Sequence, residues 1–199
     1  GLVWFCISAA FPGFGQTEIA IIDSTVNAYE AYLEKARVEE MGDHLPTITT
    51  KCPLIKRAIG PVDHTITINF DWDETLNESD DNTEFEHTAT LRKVIFIFQS
   101  GSYDIEYAYY YDETGHLIYL EENARGYDCY QRNMYFKDDI CLKAGLKSNA
   151  EICENAGEIE PYERTTLTKT DLLQAEQALN DSKKFKSLLE IQFDLFMSD

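Results

Sequence analysis

The chain has 199 residues, 44% of them hydrophobic, enough for one domain with an ordinary core. Its 17 Lys and Arg stand against 36 Asp and Glu, a formal net charge of -19 at pH 7. No basic stripe interrupts that acidity, which argues against nucleic acid as a partner and leaves basic proteins and other cationic partners open.

Residues 2 to 15, LVWFCISAAFPGFG, carry no charge and have the character of the apolar part and small-residue exit of a secretory signal peptide. The expected division is therefore a leader remnant over residues 1–15 and a single α+β domain over 16–199, in a secreted or periplasmic protein. The alternative is an apolar segment that docks on its own domain or on a neighbour. The run is shorter than the ~20 residues a membrane-spanning helix needs, so no integral membrane segment is expected. Cys6 follows Val-Trp-Phe, which is not the small-residue setting of a lipid anchor.

From Thr17 to Met41 the residues Ile19, Ile22, Val26, Tyr29, Leu33 and Ala36 recur at steps of three and four, which predicts an amphipathic helix with Thr17 as N-cap and Gly42 past its end. Asp43 to Asp63, with Pro46, Pro53, Gly60 and Pro61, reads as a connection holding at most a short strand at Ile48 to Thr50. Thr65 to Trp72 alternates cleanly as a strand. Between Asp71 and Glu86 stand eight acidic residues and no Lys or Arg. The spacing lacks the glycine and terminal Glu of a calcium loop, so a solvated hairpin loop is expected, with no metal.

Leu91 to Gln99 and Tyr103 to Tyr111 read as two strands joined at Gln99-Ser-Gly101-Ser. Asp112-Glu-Thr-Gly115 fits a type I turn with a G1 bulge, pairing Asp112 with His116. Carried onward, that register sets Tyr111 opposite Leu117, Tyr109 opposite Tyr119 and Tyr107 opposite Glu121. Tyr127 to Phe136 forms a further strand, turned at Asp138-Asp139. Thr168-x-x-Asp171 starts a final helix that Asn180-Asp-Ser182 is expected to break or kink. The fold class that results is α+β: a curved antiparallel sheet of about five to six strands, the N-terminal helix across one face and the C-terminal helix at an edge or end. Tyr29 or Leu33 is expected to touch the odd-numbered face of Tyr103 to Tyr111.

Cys52, Cys129, Cys141 and Cys153 form an even set that suits two disulfides in an oxidising compartment. Three pairings are open. Cys129 lies too far from the Asp138-Asp139 turn to oppose Cys141, which favours Cys141 with Cys153 and Cys52 with Cys129. The plainer alternative is free buried thiols.

His44, His64, His87 and His116 occupy unrelated settings, and no nucleophile elbow or phosphate loop is present, so no enzyme and no cofactor is expected. Glu106 with Glu122 is the nearest thing to an acid–base pair. Tyr103, Tyr107, Tyr109, Tyr111 and Tyr119 are the candidate binding residues, because tyrosines combine large apolar area with a hydrogen-bonding tip.

The hairpin EYAYYYDETGHLIYLEE, preceded by LRKVIFIF, followed by CYQRNMYFKDDICL and flanked by a helix at each end, resembles a group of small secreted bacterial proteins of uncharacterised function. Their hairpins run from aromatic residues into a Gly-x-Leu-Ile exit. The longer acidic loop and the cysteines are departures from that pattern, and the resemblance brings no catalytic or binding residue with it. The function expected is a non-catalytic secreted or periplasmic module that binds a protein or glycan through its aromatic sheet face and acidic loop. The alternatives are an acidic inhibitor-like or structural protein that meets a basic partner, and a hydrolase assembled from distant loops.

Overall fold

Alternating β-forming and polar residues recur along most of the chain. The computed structural model, which describes residues 14–38, 46–56, 60–79, 82–100, 103–126, 129–148 and 159–197, pairs these stretches into one sheet. The elements are α1 (Phe14–Val38), β1 (Thr47–Lys56), β2 (Gly60–Ser79), β3 (Asn82–Ser100), β4 (Tyr103–Tyr111), β5 (Leu117–Arg125), β6 (Tyr130–Lys137), β7 (Ile140–Ser148), β8 (Tyr162–Arg164) and α2 (Lys169–Met197). The sheet has 8 strands, all antiparallel, in sequence order, so the expectation of five to six was too low.

The miscount comes from the two ends of the sheet: β1, expected as a connection with at most a short strand, is 10 residues long, and β8 was not foreseen. The acidic stretch departs from expectation differently, by not being a loop: β2 and β3 stay paired from Phe70 opposite Leu91 to Ser79 opposite Asn82. Towards the arm, the pairing of β1 with β2 reaches no further than Thr47 opposite Asn69, and that of β4 with β3 no further than Tyr110 opposite Lys93. Beyond those points the hairpin runs on as a two-stranded arm about 30 Å long at ~3.3 Å per residue. Near its base the side chains from Asp71 to Leu76, on both faces, are exposed to water, as is Glu86, so the repulsion among the carboxylates there is screened while the backbone hydrogen bonds are kept.

The central turn matches expectation. Gly115 adopts φ 75°, the Gly115 N–H donates to the Asp112 carbonyl at 3.1 Å, and the Asp112 N–H donates to the His116 carbonyl at 3.0 Å. The register after it does not match. Tyr111 pairs with Leu117, but Tyr110 pairs with Tyr119 and Tyr107 with Glu122, so Ile118 is the extra residue of a bulge that shifts every later rung by one. The next hairpin turns at Asp138 and Asp139, both at positive φ, between Lys137 and its partner Ile140, a two-residue turn of the kind that suits strand twist.

Each face of the sheet carries a helix. Ile22 and Tyr29 of α1, with Ile19, Val26 and Leu33, pack on Ala108, Tyr110, Tyr119 and Tyr135. The narrow seam is as the periodicity predicts, but it lies on the even face of β4. Contact of Tyr29 or Leu33 with the odd face is therefore wrong, because α2 holds that face. Ala175, Ala178, Phe185, Leu189 and Phe193 sit over Ile68, Phe70, Val94, Tyr109, Tyr111, Leu120, Met134 and Phe136. α2 thus crosses the sheet rather than lying at its edge, and it continues unbroken through residues 180–182. Ser182 is a buried member of its inner stripe, whereas Leu172 and Leu173 are exposed. Small residues at Ala175, Ala178 and Ser182 let the helix lie close to the aromatic strands.

α1 begins by Phe14, which places Thr17 inside the helix rather than at its cap. Of the leader expected over residues 1–15, residues 1–13 lie outside the described residues, as does Gly42, while Phe14 and Gly15 belong to α1. The capping signal of α2 forms as predicted: Asp171 accepts from the Thr168 N–H at 2.7 Å and from its hydroxyl at 2.6 Å.

Cys52 and Cys141 are free thiols, so neither favoured pairing, Cys52 with Cys129 or Cys141 with Cys153, forms. No bridge joins two described cysteines. Cys129 is fully buried and disulfide-bonded; Cys6 and Cys153 lie outside the described residues. Cys52 sits exposed on β1. Burial pushes the Cys141 thiol up to about 11, and it donates to the Lys143 carbonyl at 3.5 Å. At pH 8 only about 1 in 1000 Cys141 side chains is then thiolate, the form that reacts. Iodoacetamide at pH 8 should therefore modify Cys52 quickly and Cys141 only over far longer times, with equal rates after denaturation. Equal rates in the native protein would refute this.

Candidate functional site

On the α2 face, the Ile118 bulge brings β4, β5 and β6 into a register that collects polar groups beside the aromatic strip. Tyr107 pairs with Glu122, and Glu122 pairs with Arg132, so all three point to the same side. Glu122 is 5% exposed. One of its oxygens accepts from the Tyr130 hydroxyl at 2.7 Å, and the other takes a short hydrogen bond and ion pair from Arg132 Nη1. The Arg132 guanidinium also lies 5.1 Å from the Tyr130 ring centre.

These residues form the floor of a cleft of about 480 Å³ between sheet and helix, where Gln174, Gln177 and Asp181 of α2 face Phe96, Tyr107 and Tyr109. Phe96 and Tyr107 stack with ring centres 5.8 Å apart and planes 16° apart. Tyr109 meets Phe185 edge-on at 5.1 Å, closing one end. Gln177 donates to Asp181 at 2.8 Å, and Lys184 donates to the other Asp181 oxygen at 2.7 Å. Arg132 Nε is buried without a protein partner, a donor left over inside the cleft.

The electrostatics keep these groups in one protonation state. Burial first, and then the neighbouring Glu122 charge, hold the Tyr107 and Tyr130 hydroxyls far above the ordinary tyrosine range. Burial and then Asp181 do the same for Tyr109. All three remain neutral hydroxyls at any physiological pH. Burial opposes the charge on Arg132, but Glu122 and Tyr130 outweigh it and keep the guanidinium above its usual value. Both Glu122 oxygens are occupied by internal donors. The arrangement therefore offers fixed phenols, amides and a guanidinium for hydrogen bonding, and an aromatic wall for stacking.

Of the predicted tyrosines, Tyr107 and Tyr109 line this cleft. Tyr111 lies on the same face but is buried under α2, and Tyr103 stands half-buried at the start of β4. Tyr119 is on the other face with Tyr110 and Tyr135. Glu106 pairs with Asn123, so the proposed Glu106–Glu122 neighbours stand on opposite faces. Glu122 in its role here, Arg132, Tyr130, Gln174, Gln177 and Asp181 went unforeseen. A register that included the bulge would have aligned the first two.

Among the described residues no group of three or more His, Cys, Asp or Glu is placed to hold a metal, and no helix is long and apolar enough to cross a membrane. No family model, curated protein or solved structure matches the chain. The class that fold and site define is an α+β domain built on an eight-stranded antiparallel meander, with one helix on each face and a polar-aromatic cleft under the second.

Proposed function

We propose that the protein is a non-catalytic binding module whose α2 cleft takes one or two residues of a neutral glycan, in a secreted or periplasmic setting. The observation that carries this reading is the cleft's combination of parts. A stacked aromatic pair suits the apolar face of a sugar ring, while phenols, amides and the spare Arg132 donor suit its hydroxyls. A volume of about 480 Å³ lies in the range of small-ligand sites. The net charge of -19 favours a neutral sugar over an acidic one. Hydrolysis fits less well, because an unengaged carboxylate is what such chemistry asks for, and Glu122 and Asp181 both hold internal donors.

Titration calorimetry against a panel of neutral mono- and oligosaccharides tests the proposal. At least one should bind, and Tyr107→Ala and Gln177→Ala should each weaken it about tenfold, the loss of one stacking or hydrogen-bonding group of about 1.4 kcal/mol. Binding that both variants leave unchanged would place the ligand elsewhere.

A further inference from the structure

The opposite face of the sheet holds a second cavity, of about 470 Å³, between α1 and the base of the arm, lined by Thr25, Tyr29, Tyr32, Asp71, Arg92 and Glu113. Its origin is again a bulge. The pairing of β2 with β3 steps from Asn69 opposite Lys93 to Phe70 opposite Leu91, leaving Arg92 as the extra residue. Arg92 lies 3.2 Å from an Asp71 oxygen and 5.4 Å from the centre of the Tyr29 ring. Tyr29 is 8% exposed, and its hydroxyl has no hydrogen-bond partner. A buried phenol left unpaired is destabilising, and here it lines a cavity whose charges are Asp71 and Glu113 against Arg92.

Outward from that cavity the arm continues the same chemistry. Asp73 follows Asp71 on the same face, and Glu86, opposite Thr75, joins them, because alternate residues of paired strands share a face. Side chains two residues apart in a strand are ~6.6 Å apart, the same spacing that an extended partner chain presents on one side.

We propose that this face is a docking surface for a basic, extended segment of another protein, with one lysine or arginine side chain entering the Tyr29–Tyr32 cavity and the next basic side chains meeting Asp73 and Glu86. An ammonium or guanidinium group supplies what the cavity lacks: a second positive charge, since Arg92 alone stands against Asp71 and Glu113, and a donor for the Tyr29 oxygen. Charge complementarity points to the same occupant, since eight acids and no base lie between Asp71 and Glu86. The surface is on the other side of the sheet from the glycan cleft, so it stands or falls independently.

The test uses the full chain with a synthetic peptide carrying lysine at alternate positions, its fully acetylated counterpart, and spermine as a small polyamine. The lysine peptide should bind with an affinity that falls steeply with salt, at least tenfold between 50 and 200 mM. The acetylated peptide should not bind, and spermine should bind at least tenfold more weakly. The paired substitution Asp73→Asn with Glu86→Gln should weaken the lysine peptide about tenfold. Tyr29→Phe should weaken it about threefold or more while unfolding at no lower temperature, because it removes an unpaired buried hydroxyl. A Tyr29→Phe protein that binds like the parent overturns the cavity. Spermine binding as tightly as the peptide overturns the protein partner, and so does an acetylated peptide that still binds.

Discussion

Truncation of Glu122 to alanine is expected to destabilise the protein by about 3–5 kcal/mol, because it leaves the Arg132 guanidinium in a half-closed apolar setting without its counter-charge. At roughly 2–4 °C per kcal/mol for a chain of this size, the unfolding midpoint should fall by about 10 °C. The informative comparison is the double variant Glu122→Leu, Arg132→Met. Replacing both members of a buried ion pair with apolar side chains of similar volume is often neutral or stabilising, so the double variant should recover most of the loss in urea denaturation. It should nonetheless lose glycan binding. Recovery of stability with binding intact would mean that the pair serves only the fold, and the cleft would lose its central polar feature.

Asp171 is the second large effect. It is 1% exposed and gathers the start of α2, the end of β8 and the segment between them. Thr168 donates to it twice, Tyr162 donates from 3.1 Å, and Arg164 Nε lies 2.8 Å away. Burial by itself would raise the carboxyl, but the bonds from Thr168, Arg164 and Tyr162 outweigh it and hold Asp171 below the usual carboxylate range. Asp171→Ala should cost about 3 kcal/mol through loss of the cap and of the buried ion-pair partner. A carboxyl lowered on folding contributes stability above its unfolded value, near 4, and loses it as pH falls through the folded value. The parent should therefore lose stability more steeply than Asp171→Asn does as pH falls below about 4. Parallel acid titrations of the two proteins, followed by circular dichroism, would reveal it, and coincident curves would refute it.

What the sequence discloses depends on whether a residue's role is set locally. The Asp112–His116 turn is written in four residues and was legible, as was the seam of α1, because Ile19, Ile22, Val26, Tyr29 and Leu33 declare one side of a helix. Which face of the sheet that seam covers is a long-range choice that neither α1 nor β4 encodes, since β4 is apolar on both sides. In the first half of α2 the inner positions are the small Ala175, Ala178 and Ser182 while the larger Leu172 and Leu173 are exposed; only in the second half do Phe185, Leu189 and Phe193 mark the inner face by hydrophobicity. The arm was hidden because eight carboxylates suggest solvated loop more strongly than Thr75, Thr88 and Thr90 suggest strand. The cleft depends on the bulge at Ile118, which has no residue signature. A register wrong by one residue there sends Glu122 to the other face and dissolves the site.

The strictly sequential order of the sheet bears on how the chain reaches this state. Every strand bonds only to the strands before and after it, so each rung closes a short loop and costs little chain entropy. A meander of this kind has few of the distant pairings that slow β proteins. It can assemble strand by strand as the chain is delivered from its N-terminal end. The exception is α2, which is anchored beside β8 through Asp171 and reaches back to set Phe193 against Phe70 on β2, with ring centres 5.9 Å apart. Closing that contact spans most of the sheet and must wait until α2 is made. Until then Tyr107, Tyr109 and Phe136 are bare, and the hazard for this protein is an otherwise complete sheet whose second lid has not yet shut.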